Sequence, residues 1–252
     1  MPGLKMHAGR MLGKLLHAVH SLYQITADFV YPPCCLSCKR CLEHGNALIC
    51  QPCWDALPRL SSPMALMSEG ILPLDPPFWF VSSLALYSYN QKSQHLIHLY
   101  KYRGYRRLGE QLGRRLGELY TECRAFETVH ALVPVPLHPV RLRERGYNQS
   151  EILARAISRS TGLPVWSNVL RRLRYTRPQV KMSQGERMRN VADAFAATHS
   201  RRMHGACLLL VDDVLTTGST MNECARTLSQ AGASRVDCMT VVRVEALRRD
   251  NS

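Results

Sequence analysis

The chain has 252 residues, with 33 Lys and Arg against 19 Asp and Glu, a formal charge of +14 before any histidine is protonated. A hydrophobic content of 46% with 21% charged residues excludes a disordered chain, and the length allows one large domain or an ordinary domain with a small one. No apolar run approaches the ~20 residues that a membrane-spanning helix needs, so a soluble, cytoplasmic protein is expected.

Residues 1–30 do not read as a secretion signal, because Lys14, His17 and His20 interrupt the apolar stretch and no small-residue cleavage site follows. Leu12, Leu15, Leu16, Val19, Leu22 and Tyr23 instead share one helical face, with Lys5, Arg10 and Lys14 available to the other. This predicts an amphipathic helix that either docks on the rest of the protein or lies on an anionic membrane surface.

Residues 31–57 hold six of the ten cysteines. Without a secretion signal they are expected to stay reduced, which favours metal over a disulfide framework. Cys35 and Cys38 form one CxxC knuckle and Cys50 and Cys53 a second; together they supply a closed, four-sulfur shell suited to structural Zn²⁺. Cys34 and Cys41 remain alternative ligands. Cys123, Cys207, Cys224 and Cys238 stand in apolar surroundings and read as small buried hydrophobes. Residues 58–78, rich in Pro, Ser and Met and without periodicity, read as a linker.

From residue 79 to about 247 the pattern is strand alternating with helix, which predicts an α/β domain with a mostly parallel sheet flanked by helices. A strand-like run reaches Tyr89, helical spacing follows at Leu108, Leu112, Leu116 and Tyr120, and an apolar run covers residues 131–135. The next helix is opened by Asn148, with Glu151 three residues later as a capping pair. A strand at 207–211, a helix after Ser219 and a strand at 236–242 complete the series.

The segment Leu208-Leu-Leu-Val-Asp212-Asp213-Val-Leu-Thr216-Thr217-Gly218-Ser219-Thr220 carries the chemistry. A buried parallel strand delivers two carboxylates at its C-terminal end, where open α/β sheets bind ligands. The following turn offers hydroxyls and the N–H groups of a helix start, a cradle for phosphate, and Gly218 permits close backbone approach. The carboxylates would repel phosphate, so they suit sugar hydroxyls or a divalent cation. A two-component receiver domain also opens on Leu-Val-Asp-Asp, but only about forty residues follow this pair, too few to complete one.

Residues 211–220 resemble the phosphoribosyl-pyrophosphate (PRPP) signature of type I phosphoribosyltransferases. With the double CxxC, Lys101-Tyr-Arg-Gly104, Val133-Pro-Val-Pro-Leu137, Arg145-Gly-Tyr-Asn-Gln149 and Glu186-Arg-Met-Arg-Asn190, the chain resembles the ComF/GntX family of competence-associated proteins from about residue 32 to 243. The resemblance implies a type I phosphoribosyltransferase-like sheet with a small zinc-ribbon-like module before it. It implies Asp212 and Asp213 on the ribose hydroxyls, and Thr216, Thr217, Gly218, Ser219 and Thr220 on the 5′-phosphate. Val135, Pro136 and Leu137 would face a pyrophosphate that carries Mg²⁺, and residues 179–190 would form a closing loop. Arg145 and Arg187 would stabilise the departing group while a nitrogen acceptor attacks C1 of the ribose. Lys39 stands where the family often has Gly. The family name further implies DNA uptake, with single-stranded DNA and competence-machinery proteins as partners.

Charge supports a competing reading. Residues 101–177 carry sixteen Lys and Arg against six Asp and Glu, with Tyr102, Tyr105, Tyr147 and Tyr175 interleaved and Tyr100 just before them. Such alternation suits a groove for single-stranded nucleic acid, as in a non-catalytic adaptor that keeps the fold.

Overall fold

The computed structural model describes residues 33–42, 47–69, 77–123, 126, 128–175 and 191–244. The helix expected at 1–30, the loop at 179–190 and Arg187 lie outside them. The chain divides into two compact units, 1–56 and 57–252.

In the first unit a tight hairpin pairs Cys34 with Cys41. The N–H of Cys35 donates to the Arg40 carbonyl at 2.8 Å and that of Leu42 to the Pro33 carbonyl at 2.7 Å. Lys39 closes this turn at φ 64, the left-handed region where glycine is free of the Cβ clash. A short helix, α1 (Gln51–Asp55), follows with Trp54 buried on it.

The second unit is built on a five-stranded sheet. Its strands are β1 (Met64–Leu66), β2 (Ser82–Ser88), β3 (Ala131–Pro134), β6 (Cys207–Leu215) and β7 (Arg235–Arg243), in the order β1-β2-β7-β6-β3. All pairs are parallel except β1 with β2. A separate antiparallel pair joins β4 (Leu170–Arg172) and β5 (Phe195–Ala197). Both central strands, β6 and β7, are buried along most of their length, as strands covered on two faces must be. The helices are α2 (Gln91–Tyr102), α3 (Arg106–Cys123), α4 (Pro139–Arg145), α5 (Gln149–Thr161), α6 (Ser200–Met203) and α7 (Ser219–Gln230). Among the described residues no helix is long and apolar enough to cross a membrane.

Several expectations are corrected. The stretch read as a linker contains β1, and its backbone is anchored further: the Arg243 guanidinium, 2% exposed, donates to the Ser62 carbonyl at 2.7 Å and the Pro63 carbonyl at 3.1 Å. A three-residue edge strand is too short to show a period of two. Strand β6 runs past Val211 to Leu215, because Asp212, Val214 and Leu215 stay in register with Thr240, Val242 and Arg243. Asn148 does cap α5, accepting from the Ser150 N–H at 3.2 Å, but Glu151 turns outward to Ser167 and Arg155 instead of closing a capping box. Of the scattered cysteines, Cys224 and Cys238 are buried, Cys207 is half-buried and Cys123 is exposed.

Helices α3 and α5 approach through glycine. Gly109, Gly113 and Gly117 recur every fourth residue and so share one face of α3. A Cβ on Gly113 would stand 2.5 Å from the Ala156 Cβ and 2.8 Å from the Leu153 carbonyl oxygen; on Gly117 it would collide with Ser160, and on Gly109 with the ring of Tyr100. Alanine normally favours a helix over glycine by about 1 kcal/mol. Here the obstacle is backbone, and overpacking of this kind costs about 1–3 kcal/mol. Gly113→Ala is therefore expected to lower the melting temperature by a few degrees in calorimetry, and an unchanged or higher value would contradict this packing.

Candidate functional site

The C-terminal ends of β3 and β6, the start of α7 and the end of α2 enclose a cleft of about 610 Å³. Thr216, Thr217, Gly218, Ser219 and Thr220 line one part of it, Val135, Pro136 and Leu137 another, and Asp212, Asp213 and Arg145 also border it. Every described residue of the expected sugar-phosphate site thus meets in one cavity.

At one end of the cleft Gly218 adopts φ 82 and precedes the first turn of α7. That turn leaves N–H groups without intrahelical acceptors at the positive end of the helix dipole. The hydroxyls of Thr217 and Ser219 are 2.9 Å apart and buried, which fixes the turn before any ligand arrives. The Val135 end is held from α5, since the Asn148 amide donates to the Val135 carbonyl at 3.1 Å.

Adjacent residues on an extended strand point to opposite faces, and the two carboxylates have different surroundings. Asp212 is partly exposed; its Oδ1 accepts from the Ser150 hydroxyl at 2.7 Å and from the Asp213 N–H at 2.9 Å. Burial, followed by the neighbouring charge of Asp213, pushes its pKa up to about 6, against the opposing pull of Lys101 and these two hydrogen bonds. Asp213 is 2% exposed and pairs through Oδ1 with Lys101 Nζ at 2.8 Å. Burial works against the Lys101 charge, but Asp213 outweighs it and the pKa of Lys101 rises.

The sequence marked the block containing Lys101 without giving this lysine a role, and it did not find Ser150. Nor did it show how the platform behind them is braced. The Tyr100 hydroxyl donates to the Gln149 carbonyl at 2.6 Å, and the Tyr147 hydroxyl donates to the Tyr100 carbonyl. Arg145 donates to the Gln149 side chain at 2.6 Å and lies over the Tyr102 ring. Arg106, one of the basic residues of the 101–177 stretch, donates to the Gly146 carbonyl at 2.9 Å and lies over Tyr147.

In the N-terminal unit the sulfurs of Cys35, Cys38, Cys50 and Cys53 all lie within 4.8 Å of one another, with Cys38 and Cys50 3.6 Å apart. Tetrahedral Zn–S bonds of about 2.3 Å require sulfurs about 3.8 Å apart, so the set fits such an ion. Cys50 N–H donates to the Cys35 sulfur at 3.3 Å, while burial and the neighbouring thiols push Cys53 up to about 12. The four cysteines could hold a metal such as zinc; Cys34 and Cys41 face each other in the hairpin and are not part of this group.

Comparison with known proteins identifies the domain type and relatives of the chain. The phosphoribosyl transferase domain model matches residues 145–252. Competence protein F of Haemophilus influenzae is 28% identical over 84% of this chain and 85% of its own length. DNA utilization protein YhgH of Escherichia coli is 29% identical, covering 84% and 97%, and competence protein ComFC of Bacillus subtilis is 29% identical, covering 63% of each. The resemblance to the ComF family is borne out, and the chain carries a phosphoribosyltransferase-type domain in a mixed α/β fold with a mostly parallel sheet.

The surroundings of Asp212 have a pH signature. Folding raises its pKa from 3.8 to about 6, so the associated stability is full below about pH 4 and is lost as pH rises through about 6. Asp212→Asn keeps an oxygen for Ser150 and removes the charge. It should therefore raise the melting temperature at pH 7.5 more than at pH 4.5, as followed by circular dichroism; a loss of stability at pH 7.5 would contradict the strain assigned to this carboxylate.

Proposed function

We propose that the cleft binds PRPP with Mg²⁺, and that the domain transfers its phosphoribosyl group to a nitrogen acceptor. What carries the reading is the convergence, in one cavity, of an anion-accepting helix start, a carboxylate pair and a cationic rim. In this reading the N–H groups and hydroxyls from Thr216 to Thr220 hold the 5′-phosphate, and the acidic pair serves the ribose. Val135, Pro136 and Leu137 face the pyrophosphate, and Arg145 offers positive charge where the leaving group departs. Arg187 would add to it from the loop at 179–190. Bond cleavage at C1 leaves positive charge on the sugar and carries the electron pair to pyrophosphate, so fixed cations near the leaving oxygen act mainly in the transition state. Bound Mg²⁺ would supply further neutralisation of the pyrophosphate.

The four-cysteine set would hold Zn²⁺ as a structural ion, since four sulfurs leave no open position. We further propose a role in DNA uptake, in the cytoplasm and alongside other competence proteins; the names of the relatives, competence protein F and DNA utilization protein YhgH, support the part in DNA uptake. A second reading rests on a specific feature: Tyr89, Tyr102 and Tyr175 line the cleft with exposed rings, and Arg145 and Arg141 lie over two of them. Stacking faces interleaved with cations suit single-stranded nucleic acid.

Calorimetric titration distinguishes the two. PRPP should bind in the presence of Mg²⁺, and Asp212→Asn should weaken it at least tenfold, in line with about 1.5–3 kcal/mol for a charge-assisted hydrogen bond. Absence of heat at millimolar PRPP, together with salt-sensitive binding of a single-stranded oligonucleotide, would replace the enzyme reading by the adaptor. The metal reading predicts about one zinc per chain by elemental analysis. Cys50→Ser should lose it and Cys34→Ser should retain it; loss in both would show that the ligand set is wrong.

A further inference from the structure

The two carboxylates at the end of β6 are treated alike by the reading above, yet their environments differ in kind. Asp212 is partly exposed to the cleft, whereas Asp213 is almost wholly buried and its Oδ1 is taken by Lys101. Its Oδ2 has no hydrogen-bond partner among the described residues and no access to solvent. A sugar hydroxyl arriving from the cleft therefore meets Asp212 directly. It reaches Asp213 only by displacing the lysine.

Lys101 is well held for a lysine. It sits in the last turn of α2, next to Tyr100, which is fully buried, hydrogen-bonded through its hydroxyl to Gln149 and through its carbonyl to Tyr147, and packed on Gly109. Its side chain keeps 23% exposure and lines the cleft, and its charge is felt by both carboxylates. A lysine stem has four rotatable bonds, so a buried partner for its ammonium removes most of the freedom that would otherwise be lost on binding.

We infer that Asp213 is a positioning residue that acts through Lys101, and that Lys101 is a ligand-binding cation which presents its ammonium group at the sugar position of the cleft. Asp212 is then the direct acceptor for the ribose hydroxyls. This assignment rests on the sugar-phosphate reading of the cleft and adds a residue and a division of labour to it.

Binding of PRPP with Mg²⁺, and of ribose 5-phosphate, to the full-length protein tests the assignment by calorimetry. Lys101→Met and Asp213→Asn should each weaken both ligands by about tenfold, the loss of about 1.4 kcal/mol. The double variant should be no weaker than either single one, because both changes remove the same contact. Lys101→Arg should recover most of the affinity, a rescue that a purely structural lysine would not require. Lys101→Met leaves Asp213 buried and unpaired, so folding of each variant is checked by circular dichroism; if it fails to fold, the double variant, which restores charge balance, carries the comparison with Asp213→Asn. Losses for Asp213→Asn and Lys101→Met that multiply, or wild-type affinity in Lys101→Met, would overturn the inference while leaving the PRPP reading intact. Failure of the wild-type protein to bind either ligand would overturn both.

Discussion

Two carboxylates placed side by side at the end of a buried strand repel each other and lose hydration, and the second unit is organised around compensating them. Coulomb repulsion at such separations is weak in water but amounts to several kcal/mol in a partly buried site. Three elements supply the compensation: β6 itself through the Asp213 N–H, α5 through the Ser150 hydroxyl, and α2 through the Lys101 ammonium. Each must reach the same point, which sets how closely the helices pack.

That requirement explains features remote from the cleft. Ser150 lies in the first turn of α5, and α5 can stand where it does because α3 presents Gly113 and Gly117 to it. Lys101 depends on Tyr100, whose ring occupies the space left by Gly109. Tyr147 and Arg106 tie the turn after α4 to the same platform. The glycine face of α3 and the acidic pair are thus parts of one arrangement, with packing at one end and charge compensation at the other. The compensation is incomplete, since burial and the charge of Asp213 still hold the Asp212 carboxyl above the usual carboxylate range, a perturbation of the kind found at functional sites.

Much of this was legible in the sequence, for reasons tied to particular residues. The α/β alternation was readable because β6 and β7 are buried on both faces and so appear as apolar runs. The cleft segment from Asp212 to Thr220 was readable because it is local: its residues are contiguous, and the chemistry of a strand end and a helix start is set by neighbours in the chain. The two CxxC knuckles were likewise local. The interactions that bring distant residues together left no such trace. Lys101 and Asp213 are separated by 112 positions, Ser150 and Asp212 by 62. Strand β1 escaped notice because its pairing is made by backbone groups, which every sequence possesses. The glycines of α3 look like weak helix formers until the partner helix is in place.

The account's central claim is that the turn after β6 is where a phosphorylated sugar is held, and amide chemical shifts test it most directly. With ¹⁵N-labelled protein titrated with ribose 5-phosphate, the largest changes are expected at the backbone N–H groups of Gly218, Ser219 and Thr220, with smaller ones at Asp212 and Ser150. Saturable shifts confined to the basic residues of α3, with Gly218 to Thr220 unmoved, would contradict it.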